Sequence, residues 1–321
     1  MPAKQVLIVS PASARENNGN WQTASRWAHF LRARHQVAIA PDCNADDYAP
    51  DLLIALHARR SAHAVAAFAQ AHPDRPCVVV LTGTDLYRDI AISPEARASL
   101  AHATRLVLLQ PDGLSLLAPQ LRAKASVIFQ SAPTMQSPSH GLKRRHFDIC
   151  MIGHLRAEKD PYTFMRASSL VTSPKARLLH IGGVLESTLG QAASATQAVN
   201  PRYHWLGNLP HSTTRQRLAR SHALALCSLI EGGANVIIEA VTSGVPVLAS
   251  DISGNRGMLG PDYAAYFPVG DAAALARLID RSIDEPEFHA LLRRQCAARA
   301  VLFTPEMERA SVLHLVDNLF N

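Results

Sequence analysis

Glu231-Gly232-Gly233-Ala234-Asn235-Val236-Ile237-Ile238-Glu239 decides how this chain of 321 residues is read. The stretch follows an apolar run, Ala223–Cys227, and its second half begins a helical pattern, Val236–Ser243. A strand that turns through glycines into a helix is the loop of a βα unit. Glycine lets the backbone approach a ligand closely, and a helix start offers amide donors and a positive dipole end to an anion. Glu239 falls about one turn past Val236, where a carboxylate can accept the two hydroxyl protons of a ribose. Without its surroundings the stretch could equally be a tight loop with Glu231 in solvent and Glu239 as a cap.

The surroundings repeat the βα pattern. Upstream, apolar runs at Val6–Ser10, Gln36–Ala40, Leu52–Leu56, Cys77–Leu81, Arg105–Leu109 and Ser126–Gln130 alternate with helical patterns at Trp21–Arg34, Ala62–Ala71, Glu95–Ala103 and Asp112–Ala118. Ser131 to Arg145, with its prolines, serines and the basic run Lys143-Arg144-Arg145-His146, reads as a linker. Strands then resume at Asp148–Ile152, Arg177–Ile181, Tyr203–Leu206, Ala223–Cys227, Pro246–Ala249 and Ala265–Pro268, with helices at Pro161–Val171, Val236–Ser243 and Ala272–Asp284. From Pro286 the chain is helical, with a break near Pro305. Strands spaced by helices and apolar on both faces predict α/β architecture with parallel sheets. The expected arrangement is two Rossmann-like doubly wound domains, residues 1–135 and 146–303, facing across a cleft, with residues 304–321 packing back on the first. Ligands of such sheets bind at the carboxyl ends of the strands, so the residues just after strands are the candidates.

After the first strand of the second domain comes Ile152-Gly153-His154-Leu155-Arg156-Ala157-Glu158-Lys159-Asp160-Pro161. Asp160 suits a helix cap and Pro161 a first helical position. Arg156 and Lys159, three apart just before that start, can hold a diphosphate and stabilise the charge that develops when it leaves. A surface pair bridged to Glu158 is the plainer reading. After the first strand of the first domain comes Arg15-Glu16-Asn17-Asn18-Gly19-Asn20-Trp21, whose side-chain amides suit hydrogen bonding to a ligand; Trp21 itself reads as a core aromatic. Two further strand ends point the same way, Leu56-His57-Ala58-Arg59-Arg60 and Leu81-Thr82-Gly83-Thr84-Asp85-Leu86-Tyr87.

Composition narrows the field. Hydrophobic residues make up 48% and charged residues 18% of the chain, enough for sizeable cores. The net charge of +6 fits an anionic substrate. The basic residues are dispersed, so no nucleic-acid partner is expected. No apolar run is long enough to span a bilayer and no signal peptide opens the chain, so a cytoplasmic protein without a membrane partner is expected. Five scattered cysteines form no metal or disulfide pattern. There is no H-E-x-x-H helix and no D-x-D triplet, so neither a metal site nor a cofactor is expected. No G-x-G-x-x-G follows a strand, which sets a Rossmann dehydrogenase aside.

Glu231 and Glu239 have the E-x7-E spacing of retaining GT-B glycosyltransferases of the family 4 type, and the chain resembles that family in several further stretches. Ile152 to Pro161 is similar to its G-x-x-R-x-x-K-x-P stretch, Ala240 to Asp251 to its next helix and strand, and Gly254-Asn255-Arg256 to the loop beyond. Leu81 to Tyr87 is similar to its H-G-x-D stretch, with Thr82 where histidine is usual; His57 can supply a similar group from the neighbouring strand. The resemblance implies the GT-B fold and a donor held in the second domain. Arg156, Lys159, Glu231 and His57 would be catalytic. Gly19, Asn20, Gly153, His154, Gly232, Gly233, Ala234, Asn235 and Glu239 would bind the donor, with Glu239 on the ribose.

At finer grain the opening Ile8 to Ala12, the Asn17 to Ala24 stretch, Leu81 to Tyr87 and Ile152 to Arg156 resemble the selenosugar synthases of bacterial selenoneine biosynthesis. That resemblance implies transfer of a sugar, N-acetylglucosamine for preference, from a UDP-sugar to the selenium of selenophosphate. Arg59, Arg60, Thr84 and Asp85 would then bind the acceptor, with Arg15 as a further cation. A hydroxyl acceptor such as a lipid or polysaccharide precursor is the alternative, and the basic residues Arg26, His29, Arg32 and Arg34 of the first helix would suit a membrane-bound one. A non-catalytic sugar-nucleotide binder is the other class, although leaving-group cations have little purpose without bond cleavage.

Overall fold

The computed structural model describes residues 3–13, 19–43, 49–135 and 145–320. Arg15, Glu16, Asn17, Asn18, Lys143 and Arg144 lie outside them. The first sheet comprises β1 (Gln5–Val9), β2 (Gln36–Ala40), β3 (Leu52–Leu56), β4 (Cys77–Leu81), β5 (Arg105–Leu108) and β6 (Ala125–Val127), all parallel, in the order β2-β1-β3-β4-β5-β6. The second comprises β7 (Phe147–Ile152), β8 (Ala176–Ile181), β9 (Tyr203–Trp205), β10 (Ala223–Leu226), β11 (Val247–Ser250) and β12 (Tyr266–Phe267), again all parallel, in the order β12-β11-β10-β7-β8-β9. Both sheets are doubly wound, and the strand order reverses between β1 and β3 in one and between β7 and β10 in the other.

The apolar runs explain the layering. Every residue of β3 and β4 is buried, so both faces of the sheet are covered. On one face Val6, Ile8, Leu52 and Ile54 pack with Trp27, Leu31, Val312 and Val316. On the other Leu7, Val9, Leu53 and Ala55 pack with Phe68, Val65 and Leu100. The chain up to Gln130 and the segment from Pro305 onward form one compact unit, and Ser131–Thr304 forms the second.

Helix Pro305–Asp317 lies against helix Gly19–Leu31 within the first unit. The buried Glu308 accepts from Arg26 Nε and Nη2 at 2.7 and 3.1 Å and from Trp27 Nε1 at 2.9 Å. Arg34 Nη1 donates to Asp317 at 2.9 Å. Two of the basic residues that suited a membrane-facing helix are therefore ion-paired to the last helix of the same unit. Among the described residues no helix is long and apolar enough to cross a membrane. All five cysteines are free and buried, and burial pushes the Cys77 and Cys150 thiols up to about 12, which leaves them inert.

The structure adds helices at Ser187–Val199, His211–Arg220 and Ser253–Leu259 and a π-helical turn at Asp85–Asp89 that the apolar periodicity does not show. Residues 111–116 form a 3-10 helix where an ordinary helix is expected.

Candidate functional site

The carboxyl ends of β7 and β10 flank the reversal in the second sheet, and the two strongest sequence signals meet there. Gly153 follows β7 and is packed so closely by the loop after β8 that a Cβ on Gly182 would lie 1.9 Å from the Gly153 carbonyl oxygen. His154 Nδ1 accepts from Gly183 N at 3.0 Å, so the ring carries its proton on Nε2. Burial, then Arg156 and Lys159, hold this imidazole below its usual range and neutral. Arg156 precedes the short turn Ala157–Lys159. Asp160, with φ 43°, then caps helix Pro161–Leu170, accepting from Thr163 N at 3.3 Å and from Thr163 Oγ1 at 2.5 Å.

From this turn Lys159 Nζ reaches Glu231 Oε1 at 2.5 Å, with the two side chains 16% and 10% exposed. The Ser228 hydroxyl donates to the same oxygen at 2.6 Å, and Leu229 N donates to Glu158 O at 2.9 Å, which ties the two loops along the backbone. Behind them is a buried polar chain. Ser250 Oγ donates to Ser228 O at 2.6 Å, and Asn255 Nδ2 donates to Ser250 O and Oγ at 2.9 and 3.1 Å. A Cβ on Gly254 would lie 1.9 Å from the Glu231 carbonyl oxygen, so the loop bearing Gly254 and Asn255 supports Glu231 directly. Sequence reading singled out Gly254 and Asn255 by resemblance but gave no role to Ser228 or Ser250.

Beyond Glu231 the chain passes Gly232, Gly233 and Ala234 into helix Asn235–Thr242. Glu239 lies in the middle of this helix, not at its start. Its Oε1 is 2.8 Å from His211 Nε2 and 4.0 Å from Arg215 Nε. The hydrogen bond to Glu239 raises the His211 pKa above its ordinary value. His211 was missed because its helix, His211–Arg220, is polar along most of its length and its partner is distant in sequence.

In the first unit, His57 follows β3 in a left-handed conformation with φ 72°, a strained geometry for a side-chain-bearing residue. Its ring is buried. Nδ1 accepts from Arg60 N at 3.3 Å, so the proton sits on Nε2, which donates to Thr84 Oγ1 at 3.0 Å. Burial pushes its pKa down. Both ring nitrogens are thus engaged, and His57 orients Thr84. Asp85 departs from the sequence reading. It is fully buried, and its oxygens accept from Ala58 N, Thr82 N and Gly83 N at 2.8–3.3 Å. That carboxylate joins two loops, and its full burial keeps it from an acceptor. Asp89, which the sequence reading passed over, accepts from Arg59 Nε at 2.8 Å and from Arg88 Nε at 3.3 Å. Burial works to raise the Asp89 pKa, and the bonds from Arg59 and Arg88 outweigh it and hold the carboxyl below its usual value. Arg59 and Arg60 are exposed at this end of the sheet. Gly19 and Asn20 open the helix that follows β1, and Trp21 is half-buried, the fully buried indole being Trp27.

A groove elsewhere in this unit, lined by His29, Arg32, Arg34, Glu306 and Arg309 among others, lies at the far end of helix Gly19–Leu31. It is therefore at the amino end of the sheet, away from these residues.

The profile described as "Glycosyl transferases group 1" matches residues 134–300, just over half of the chain. A curated relative, Glycosyltransferase 1 domain-containing protein 1 of Xenopus tropicalis, is 25% identical over 275 residues, which cover 76% of each chain. Among solved structures, Anabaena HepE in complex with UDP and glucose superposes with a TM-score of 0.77 at 16% identity, covering 98% of this chain and 100% of that one. Sucrose-phosphate synthase from Thermosynechococcus elongatus superposes with a TM-score of 0.80 at 16% identity, covering 99% of both chains. The fold is GT-B.

Proposed function

Since the chain belongs to the group 1 glycosyl transferases, we propose that it moves a sugar, N-acetylglucosamine for preference, from a UDP-sugar to the selenium of selenophosphate. The observation that carries the donor half is the meeting of Lys159 and Glu231 at the strand-order reversal of the second sheet, with Arg156 at the start of the turn that bears Lys159. There the cations can hold the diphosphate, with Gly153 and His154 on one loop and Gly232, Gly233, Ala234 and Asn235 on the other close enough in backbone to line it. His154, neutral with its proton on Nε2, can donate to a phosphate oxygen. Glu239 takes the ribose. HepE has been solved with UDP and glucose and with UDP-glucose, which supports a UDP-linked donor here.

The reaction would run by attack of selenium on the anomeric carbon as the bond from that carbon to the UDP oxygen breaks. Negative charge builds on the departing diphosphate, and Arg156 and Lys159 are placed to stabilise it there. Glu231, fixed by Lys159 and Ser228, lies beside the sugar. Hydrolysis of the selenium–phosphorus bond then releases phosphate and leaves a 1-seleno sugar. Selenophosphate is a soft anionic nucleophile that needs little proton removal. This suits a first unit in which the His57 ring has no open nitrogen and in which Arg59 and Arg60 offer exposed positive charge beside Thr84.

The test is UDP release by the purified protein from UDP-N-acetylglucosamine, with fresh selenophosphate or with hydroxyl acceptors. Release that requires selenophosphate, with a seleno sugar found by mass spectrometry, is the expected result. Release that requires a hydroxyl acceptor instead would move the acceptor assignment and leave the donor site standing.

A further inference from the structure

His211 opens helix His211–Arg220 and sends its ring across to helix Asn235–Thr242, where Nε2 lies 2.8 Å from Glu239 Oε1. Arg215, one turn along on the same helix, brings Nε to 4.0 Å from that same oxygen, while its Nη2 donates to the Pro133 carbonyl at 2.5 Å. Both cationic groups thus act on Oε1. Among the described residues no group hydrogen-bonds Oε2. A free glutamate samples several rotamers, and fixing one is an entropic cost that ligand binding would otherwise have to meet. Here the cost is met in advance by His211, with Arg215 holding the charge in place.

We propose that His211 is a positioning residue for the donor's ribose: it locks Glu239 so that the free side of the carboxylate meets the cis-diol of a ribonucleoside diphosphate. This rests on the assignment of Glu239 to the donor ribose. The inference goes beyond that assignment in naming the group that sets the carboxylate and in tying donor affinity to the charge on an imidazole. The groups facing the ring are Glu239 and Arg215. Glu239 raises the His211 pKa, so the imidazolium persists above its ordinary range. As pH rises through that raised value the ring keeps an N–H for Glu239 but loses its charge, and the hydrogen bond weakens. Donor affinity should therefore fall on the alkaline side of the His211 titration.

The experiment is calorimetric titration of the full chain with UDP, 2′-deoxy-UDP and 3′-deoxy-UDP, for the wild type, His211→Ala and His211→Gln, across neutral pH. Wild type should prefer UDP over both deoxy analogues. His211→Ala should weaken UDP by about tenfold, the size of one charge-assisted hydrogen bond, and weaken the deoxy analogues less, so that discrimination collapses. His211→Gln, which keeps an N–H donor, should restore part of the affinity and lack the pH dependence. Equal loss for all three nucleotides, or tighter UDP binding by His211→Ala, would overturn the proposal. A wild type that binds UDP but does not distinguish it from its deoxy analogues would instead remove Glu239 from the ribose.

Discussion

Lys159 Nζ lies 2.5 Å from Glu231 Oε1, so a cation that follows β7 and a carboxylate that follows β10 meet where the strand order of the second sheet reverses. The pair is mostly buried, and the carboxylate has a second donor in Ser228. An ion pair held this way keeps each partner where a ligand would need it, at the cost of taking two charges largely out of water.

The first expected outcome follows from that pair. Lys159→Ala should lower kcat for UDP-sugar turnover by about a hundredfold to a thousandfold, the range for loss of one preorganised group that stabilises developing charge. Glu231→Gln should also impair turnover. Because each residue positions the other, the double variant should lose less than the sum of the single losses on a free-energy scale. Steady-state kinetics on the four proteins would measure the coupling, and strict additivity would separate the two roles.

Gly254 gives a steric test. A Cβ there would stand 1.9 Å from the Glu231 carbonyl oxygen, a contact that only backbone movement can relieve. Gly254→Ala should displace the Glu231 loop and lower activity far more than it lowers the melting temperature. At Gly270 a Cβ meets open space, so Gly270→Ala carries only the strain of its φ of 79° and should leave activity intact. Thermal melts paired with turnover assays would distinguish the two cases.

Glu308 tests the packing of the last helix. Its buried carboxylate serves Arg26 and the Trp27 indole together. Glu308→Ala should destabilise the protein by about 3 kcal/mol, because it leaves a largely buried guanidinium and an indole N–H without their acceptor. Urea denaturation would read this directly. A change under about 0.5 kcal/mol would mean that the helix is held by its apolar face alone.

His180 gives the protein an acid sensitivity. The ring is fully buried on β8, with Nδ1 2.8 Å from Tyr203 Oη and Nε2 3.3 Å from the Gly153 carbonyl, and burial lowers its pKa to about 4. Between that value and the ordinary 6.5 the unfolded chain binds a proton that the folded chain refuses, so stability is lost as pH falls through this window. The full shift corresponds to about 3 kcal/mol. Denaturation midpoints should fall from pH 7 to pH 5, and His180→Gln should flatten part of that slope. An unchanged slope would shift the effect to the other buried histidines.

The strands were legible because their runs are apolar on both faces; β2, β3 and β4 match the expected residues in full. The cap at Asp160 and the helix start at Pro161 were equally legible, since capping is written in adjacent residues. What escaped was tertiary or polar. Helix His211–Arg220 has almost no apolar stripe, and His211 gains meaning only from Glu239, 28 positions away. Asp85 read as an acceptor ligand because Leu81 to Tyr87 follows a strand and resembles the family's H-G-x-D stretch. Only the structure shows it fully buried and held by three backbone amides. His57 read as a candidate base because it too follows a strand, and the loop geometry that occupies Nδ1 cannot be seen in the residue order.

The most direct measurement is the binding of UDP, followed by calorimetry, to the wild type and to Lys159→Ala. One UDP per chain, with binding greatly weakened in a Lys159→Ala variant that keeps its circular dichroism spectrum, is the result the account predicts. A wild type that does not bind UDP, or a variant that binds it equally well, would contradict a diphosphate site between β7 and β10.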